Sequence, residues 1–270
     1  MSTLIVLRQM LVERWRSLLA WVFGTTALIV VMVLFYPSVR DTGADFDAYV
    51  EALPEALRDT LGVASASLSS PVGYLMSQLY SNMYPLLILV MAFGAAVWAI
   101  AGTESDGTLE MTLAAPLTRW SLAIGRFLGV ALTTLAVTAI STGLLAAVSP
   151  VVGLEEGLPA WGLWSAGLTM WAMVMAYTGL AFGIGAATGR KALALGIASA
   201  AAVIGFLGQV FAALADALEF LRTTSPWYWF LGSDPLTTAP GWISLALPLA
   251  IAVACMALGT WRFDRRDLSA

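Results

Sequence analysis

A chain of 270 residues, 60% of them hydrophobic and only 11% charged, cannot hide its apolar surface in one soluble core, because soluble domains carry about 25% charged residues. The net charge of −4 comes without any basic patch and excludes a nucleic-acid partner. The absence of histidine removes the commonest general base and metal ligand, and a single cysteine, Cys255, excludes an intrachain disulfide or a Cys-based zinc cluster.

The apolar residues fall in runs of roughly 20, the length that crosses a bilayer as a helix, so the predicted fold class is an all-α membrane protein. Residues 1–16 space Leu4, Leu7, Leu11 and Trp15 helically, with Arg8, Gln9, Glu13 and Arg16 on other faces. That pattern predicts a helix lying in the membrane interface, the alternative being a cytoplasmic extension of the first span. The run from about 17 to 36 is longer than the apolar core of a secretion signal and lacks a small-residue cleavage site, so it reads as a retained first span.

A polar stretch, residues 37–81, follows; Phe46, Tyr49, Val50, Leu53, Leu57 and Leu61 predict a short amphipathic helix interrupted near Pro54. Further spans are predicted at about 83–101, 120–148, 161–187, 192–214 and 242–261, giving six in a single domain over 1–270. Between the second and third lies "TESDGTLEMTLAAPLTR" (103–119), which mixes three carboxylates with leucines, a glycine and a proline. It is too acidic for a basic inner loop and too apolar for a loose outer one.

Orientation follows from the cations. With the N-terminus inside, ten of the 13 Lys and Arg residues fall on inner segments (Arg8, Arg14, Arg16, Arg119, Arg126, Arg190, Lys191, Arg262, Arg265 and Arg266), and three, Arg40, Arg58 and Arg222, on outer ones. Both termini and the 103–119 segment are therefore expected in the cytoplasm. Trp161, Trp164 and Trp242 mark the outer interface and Trp15, Trp120 and Trp261 the inner one.

The predicted spans hold almost no ionisable residue near mid-depth, Gln209 being the most polar candidate. Ion-coupled carriers and intramembrane hydrolases need buried acids, bases or metal ligands there, so both are disfavoured. "GIGAATGRKA" (183–192) resembles a phosphate-binding loop but fails it: Arg190 precedes Lys191 where glycine is needed, Ala192 replaces the magnesium-binding Ser or Thr, and no strand leads in. Gly179, Gly183, Gly185 and Gly189, with Ala181, form small-xxx-small spacings that suit either a subunit or gate interface or plain packing within the chain.

The stretch "ESDGTLEMTLAAPLTRWSLAIGRFLG" resembles a signature of the membrane subunits of ABC-2-type ABC transporters: an acidic residue, Gly-Thr-Leu-Glu, a small apolar run, Pro, then Ser/Thr-Arg entering the third span. "SPWYWFLGSDPLTTAPGW" (225–242) is similar to a loop before the last span in many relatives, and "LPEALRDTLG", "SPVGYL" and "FDRRDL" also fit. Arg126 departs from the pattern, standing where many relatives carry lysine.

The resemblance implies a six-span permease subunit of an ATP-driven exporter. Such a subunit dimerises with a second copy or a paralogue in the cell membrane and holds no cofactor itself, ATP and magnesium being bound by a separate ABC ATPase subunit. It also implies that the 103–119 segment is a cytoplasmic coupling helix that docks on that ATPase, with Glu104, Gly107, Thr108, Leu109, Glu110, Pro116 and Arg119 at the matching positions. In that role Gly102 and Gly107 permit turns, Thr103 or Ser105 caps, Met111, Leu113 and Leu117 anchor, and Pro116 ends the helix. Glu104, Asp106 and Glu110 are left to pair with a basic partner, with Arg119 or with the N-terminal arginines. The pathway is expected at the dimer interface, lined by parts of spans two and five, with Phe93, Phe206 and Gln209 as candidate lining and helix packing as their alternative role. The competing function is a non-transporting membrane scaffold that recruits a cytosolic ATPase, distinguished by the absence of substrate-dependent ATP hydrolysis.

Overall fold

The computed structural model describes residues 2–51, 70–114, 117–211, 220 and 223–266, and these contain helices and turns but no strand. The helices are α1 (Ser2–Glu13), α2 (Trp15–Glu51), α3 (Pro71–Ser105), α4 (Thr108–Leu113), α5 (Arg119–Val148), α6 (Gly162–Thr188), α7 (Lys191–Phe211), α8 (Pro226–Leu231) and α9 (Trp242–Arg265). Six of them, α2, α3, α5, α6, α7 and α9, are long and apolar enough to cross a membrane.

The first two spans outrun their predicted ends. α2 continues through Pro37 to Glu51 instead of stopping at residue 36. Proline removes one backbone donor, and here the surrounding contacts hold the helix together. Thr25, Ile29, Val33 and Tyr36 form one buried stripe, Thr25 Oγ1 lies 2.8 Å from Ser141 Oγ on α5, and the Tyr36 ring packs 5.1 Å from that of Tyr74. Of the amphipathic helix predicted after it, residues 46–51 continue α2, and Leu53, Pro54, Leu57 and Leu61 lie outside the described residues.

α3 begins at Pro71, well before the predicted residue 83, because the polar run "LMSQLYSNM" is a π-helix that buries Leu75, Leu79 and Tyr80. Ser70 caps the start by accepting from the Gly73 N–H at 3.1 Å. A second π-helical stretch, Trp98–Gly102, lies near the other end.

α6 is the central element: 78% of its most apolar window is buried, against 17% for α2, and it touches α3, α5, α7 and α9. A helix apolar on every side is at home only inside such a cluster. Its seam with α9 is made by glycines. A Cβ built on Gly179 would lie 2.5 Å from the Ala252 Cα, one on Gly183 2.3 Å from the Cys255 carbonyl, and one on Gly259 2.3 Å from the Gly183 carbonyl. The two helices run parallel with their backbones touching, the close approach that small residues allow in lipid. Of the two readings of the glycine spacings, Gly179 and Gly183 serve packing within the chain.

α1 crosses α5 at Gly125 and Gly129, where a Cβ would stand 2.9 Å from the Thr3 carbonyl and 2.5 Å from Met10 Sδ. The "SPWYWFLGSDPL" motif folds as a capped plug. Ser225 accepts from the Trp227 N–H at 3.2 Å, Trp227 Nε1 donates to the Ala202 carbonyl at 3.1 Å, and Asp234 takes φ +45° to end the turn. Leu236 is buried behind it, its carbonyl against Gly162.

Candidate functional site

Residues 102–114 turn back at the end of α3 and are tied into the bundle on several sides. Gly107 takes φ +70°, the left-handed conformation that lets α3 end and α4 begin with no intervening loop. Thr108 Oγ1 donates to the Thr103 carbonyl at 3.2 Å and braces the turn. Leu109 swings inward and is 1% exposed. Glu110 and Met111 point out, the Met111 side chain being 71% exposed.

The carboxylates have separate fates. Glu104 sits in a two-pronged ion pair with Arg266, just past α9: Nη1 donates to Oε1 at 2.8 Å and Nη2 meets Oε2. The side chains are 7% and 18% exposed, so this pair lies largely out of solvent. Arg266 Nε also donates to the Ala186 carbonyl at 3.3 Å. Gly189 closes α6 at φ +69°, and a Cβ there would come within 2.8 Å of both Arg266 Nη1 and Glu104 Oε2. Its glycine is required twice, by its backbone conformation and by the ion pair.

Asp106 pairs with Lys191 at 2.9 Å, at the start of α7. The hydrogen bond from Lys191 holds the Asp106 carboxyl below its ordinary range. A carboxylate whose pKa is depressed by folding adds stability above its unfolded value and loses it as pH falls through its folded value. Asp106→Asn is therefore expected to lower the melting temperature by a constant amount above about pH 5. The difference from wild type should shrink in more acid solution, and a difference that grows on acidification would contradict the pairing.

Arg119 donates through Nη1 to two carbonyls at the end of α9, Phe263 at 2.5 Å and Arg266 at 2.7 Å, with its guanidinium 5.2 Å over the Phe263 ring. Arg126 is buried and donates through Nη1 to Thr103 Oγ1 at 2.6 Å and to the Ala99 carbonyl, within the second π-helical stretch of α3. Trp98, in the same stretch, carries the Arg14 guanidinium 4.9 Å over its ring, and burial lowers the Arg14 pKa from its ordinary value.

Several sequence expectations change here. Thr103 and Ser105 cap no helix start: Thr103 Oγ1 donates to the Ile100 carbonyl at 3.0 Å and Ser105 Oγ to the Gly102 carbonyl at 3.1 Å. Glu104 and Asp106 pair with Arg266 and Lys191, not with Arg119 or the N-terminal arginines. Leu109 packs into the bundle, while Met111, expected to anchor on the ATPase, is exposed; Leu117 is half-buried, and Pro116 and the Leu113 side chain lie outside the described residues. Arg126, read as a simple exchange for lysine, is a buried tether. Sequence reasoning passed over Arg266, Lys191, Gly189 and Arg126 as site residues. The one available signal was Glu104, a carboxylate set directly against the apolar run "VWAIAG", which demands a cation nearby.

The three candidate pathway residues do not come together. Phe206 lines an apolar groove of about 200 Å³ between α3, α7 and α8, with Met83, Leu86, Val203 and Trp227. Phe93 is buried elsewhere on α3, and the Gln209 side-chain oxygen is buried with no hydrogen-bond partner among the described residues.

In comparison with known proteins, a family model described as "ABC-2 family transporter protein" matches residues 4–268. No curated protein matches.

Proposed function

This chain belongs to the ABC-2 family of transporter proteins and is a membrane permease component of an ABC transporter; we propose that it works as a dimer in the cell membrane, exporting an amphipathic or hydrophobic substrate with ATP hydrolysed by separate ATPase subunits. ATP and magnesium are bound by those subunits. Ten cations against three support an orientation with both termini and α4 in the cytoplasm. In that orientation α1, rich in exposed Leu4 and Ile5, lies at the inner interface.

The observation that carries the reading is the division of labour in the 102–114 segment. Glu104 and Asp106 are consumed by internal ion pairs, while Glu110 and Met111 are exposed on α4, Glu110 with no ion pair among the described residues. An exposed methionine beside such a carboxylate suits a groove with an apolar floor and a basic rim on the ATPase. Movement of α4 is transmitted by Glu104 and Arg266 to α9, by Lys191 to α7, and by Thr103 and Arg126 to α5. The apolar groove at Phe206, between α3 and α7, is the surface proposed to meet the second copy and to border the pathway.

Glu110→Arg tests the coupling. It is expected to abolish co-purification with the ATPase subunit and substrate-stimulated ATP hydrolysis. The melting temperature of the isolated subunit should barely change, as for a surface substitution within about 0.5 kcal/mol. Assembly and stimulated turnover equal to wild type would remove the assignment.

A further inference from the structure

The α6–α9 seam opens toward the lipid as a groove of about 300 Å³. Its floor is the meeting of Gly183 and Gly259, where neither helix has a side chain to fill the space. Leu180 and Ile184 form one wall, Leu258 and Trp261 the other. On α9 the groove runs from Cys255 to Arg262, a rise of about 10 Å at 1.5 Å per residue. A transmembrane helix, about 10 Å or more across with its side chains, is too wide for a slot cut between two touching helices, whereas a single acyl chain is not.

The end of the groove nearest α4 is cationic. Arg262 lines it, exposed and without an ion pair among the described residues. Arg265 lies 4.3 Å over the ring of Trp261, the aromatic that closes the same end. Of the other cations nearby, Arg266 is held by Glu104, Lys191 by Asp106 and Arg119 by backbone carbonyls, while Arg190, just past α6, is exposed.

We propose that this groove is a binding site for an anionic phospholipid, one acyl chain lying in the α6–α9 seam and the phosphate meeting Arg262 and Arg265. Arg262 lines the slot itself and Arg265 stands over Trp261 at the same end, so an acyl chain and a phosphate would meet apolar and cationic groups in turn along α9. The orientation given above makes it an inner-leaflet lipid; binding itself depends neither on that orientation nor on transport.

Cys255, the one cysteine of the chain, lines the groove and reports on it without substitution. The full chain is placed in nanodiscs of phosphatidylcholine with increasing phosphatidylglycerol, and the rate of Cys255 modification by a membrane-soluble maleimide is followed. Phosphatidylglycerol is expected to slow the reaction in wild type. Each arginine is worth about a five-fold change in affinity for an anionic lipid, so Arg262→Gln should raise the fraction needed for half-protection about five-fold. Slowing of equal size and midpoint in wild type and Arg262→Gln would reflect bulk surface charge and overturn the site. So would no slowing at all. Leu258→Trp, which fills the slot while leaving both arginines, is expected to lose phosphatidylglycerol retained in native mass spectrometry. Full retention in that variant would place the lipid on the surface and overturn the acyl-chain assignment.

Discussion

Replacing Arg266 by alanine is expected to destabilise the protein by about 3–5 kcal/mol, the range for breaking a buried ion pair from one side. The variant leaves the Glu104 carboxylate, 7% exposed, with no cation beside it, and removes the bond to the Ala186 carbonyl. Glu104→Gln is expected to cost less, because its amide oxygen still accepts from Arg266 while the guanidinium keeps some access to water. The decisive comparison is the double variant Glu104→Met with Arg266→Met. Replacing both charges by apolar groups is often close to neutral, so the double variant should be more stable than Arg266→Ala alone. A thermodynamic cycle over wild type, Glu104→Met, Arg266→Met and the double variant then returns a coupling well above the roughly 0.5 kcal/mol of independent sites. If the single variants melt with wild type, the pair does not hold this end of the bundle together.

The second large effect is expected at the α6–α9 seam. Gly259→Ala adds one carbon that would stand 2.3 Å from the Gly183 carbonyl and 2.4 Å from its Cα. Both obstacles are backbone, so relief requires the helices to part. Overpacking of this kind typically costs about 1–3 kcal/mol for alanine, and more for the branched Gly259→Val. The measurement is the fraction of monodisperse protein after extraction and its melting temperature. Gly94→Ala and Gly196→Ala are the controls, since a Cβ at either position meets nothing within 4 Å. They are expected to be neutral or slightly stabilising, because alanine is favoured over glycine inside a helix by up to about 1 kcal/mol. Equal losses at Gly94 and Gly259 would show that the cost does not come from the close contact at the seam.

The number of spans and their approximate places were legible because each is an apolar run of bilayer length. The ends of α2 and α3 were not. The polar residues after Pro37 read as a loop, although the tertiary contact of Tyr36 with Tyr74 carries the helix onward. At the start of α3 the buried residues are Tyr74 and Leu75, then Leu79 and Tyr80, then Tyr84. They recur every five positions, a wider spacing than the 3.6-residue turn of an α-helix and in the direction of the wider π-helical turn, and a search at the α-helical period does not detect it.

The site was legible as a place rather than as a set of contacts. The segment from Glu104 to Arg119 drew notice by its composition, but the destinations of its charges lie 162 residues away at Arg266 and 85 away at Lys191. No local pattern encodes those distances. Arg266 entered the sequence reading as a counter of topology and within "FDRRDL", and Lys191 as a counter and within the rejected phosphate-binding loop, neither as a partner of a carboxylate. Likewise the glycine spacings on α6 admitted two readings until Gly259 supplied the other half of the contact.

The placement of Arg266 also imposes an order of events on synthesis. α6 packs against α3, α5, α7, α8 and α9, and the last three of these follow it in the chain. A ribosome-bound chain that has not yet made α9 carries Glu104 without its cation and Arg119 without the carbonyls of residues 263 and 266. Until then the turn at Gly107 is held by its own local bonds, by Arg126 and, once α7 is made, by Lys191 at Asp106. Under the proposed coupling, an ATPase subunit therefore meets a finished docking surface only after the sixth helix has entered the membrane, and the nascent or truncated permease is left unpartnered.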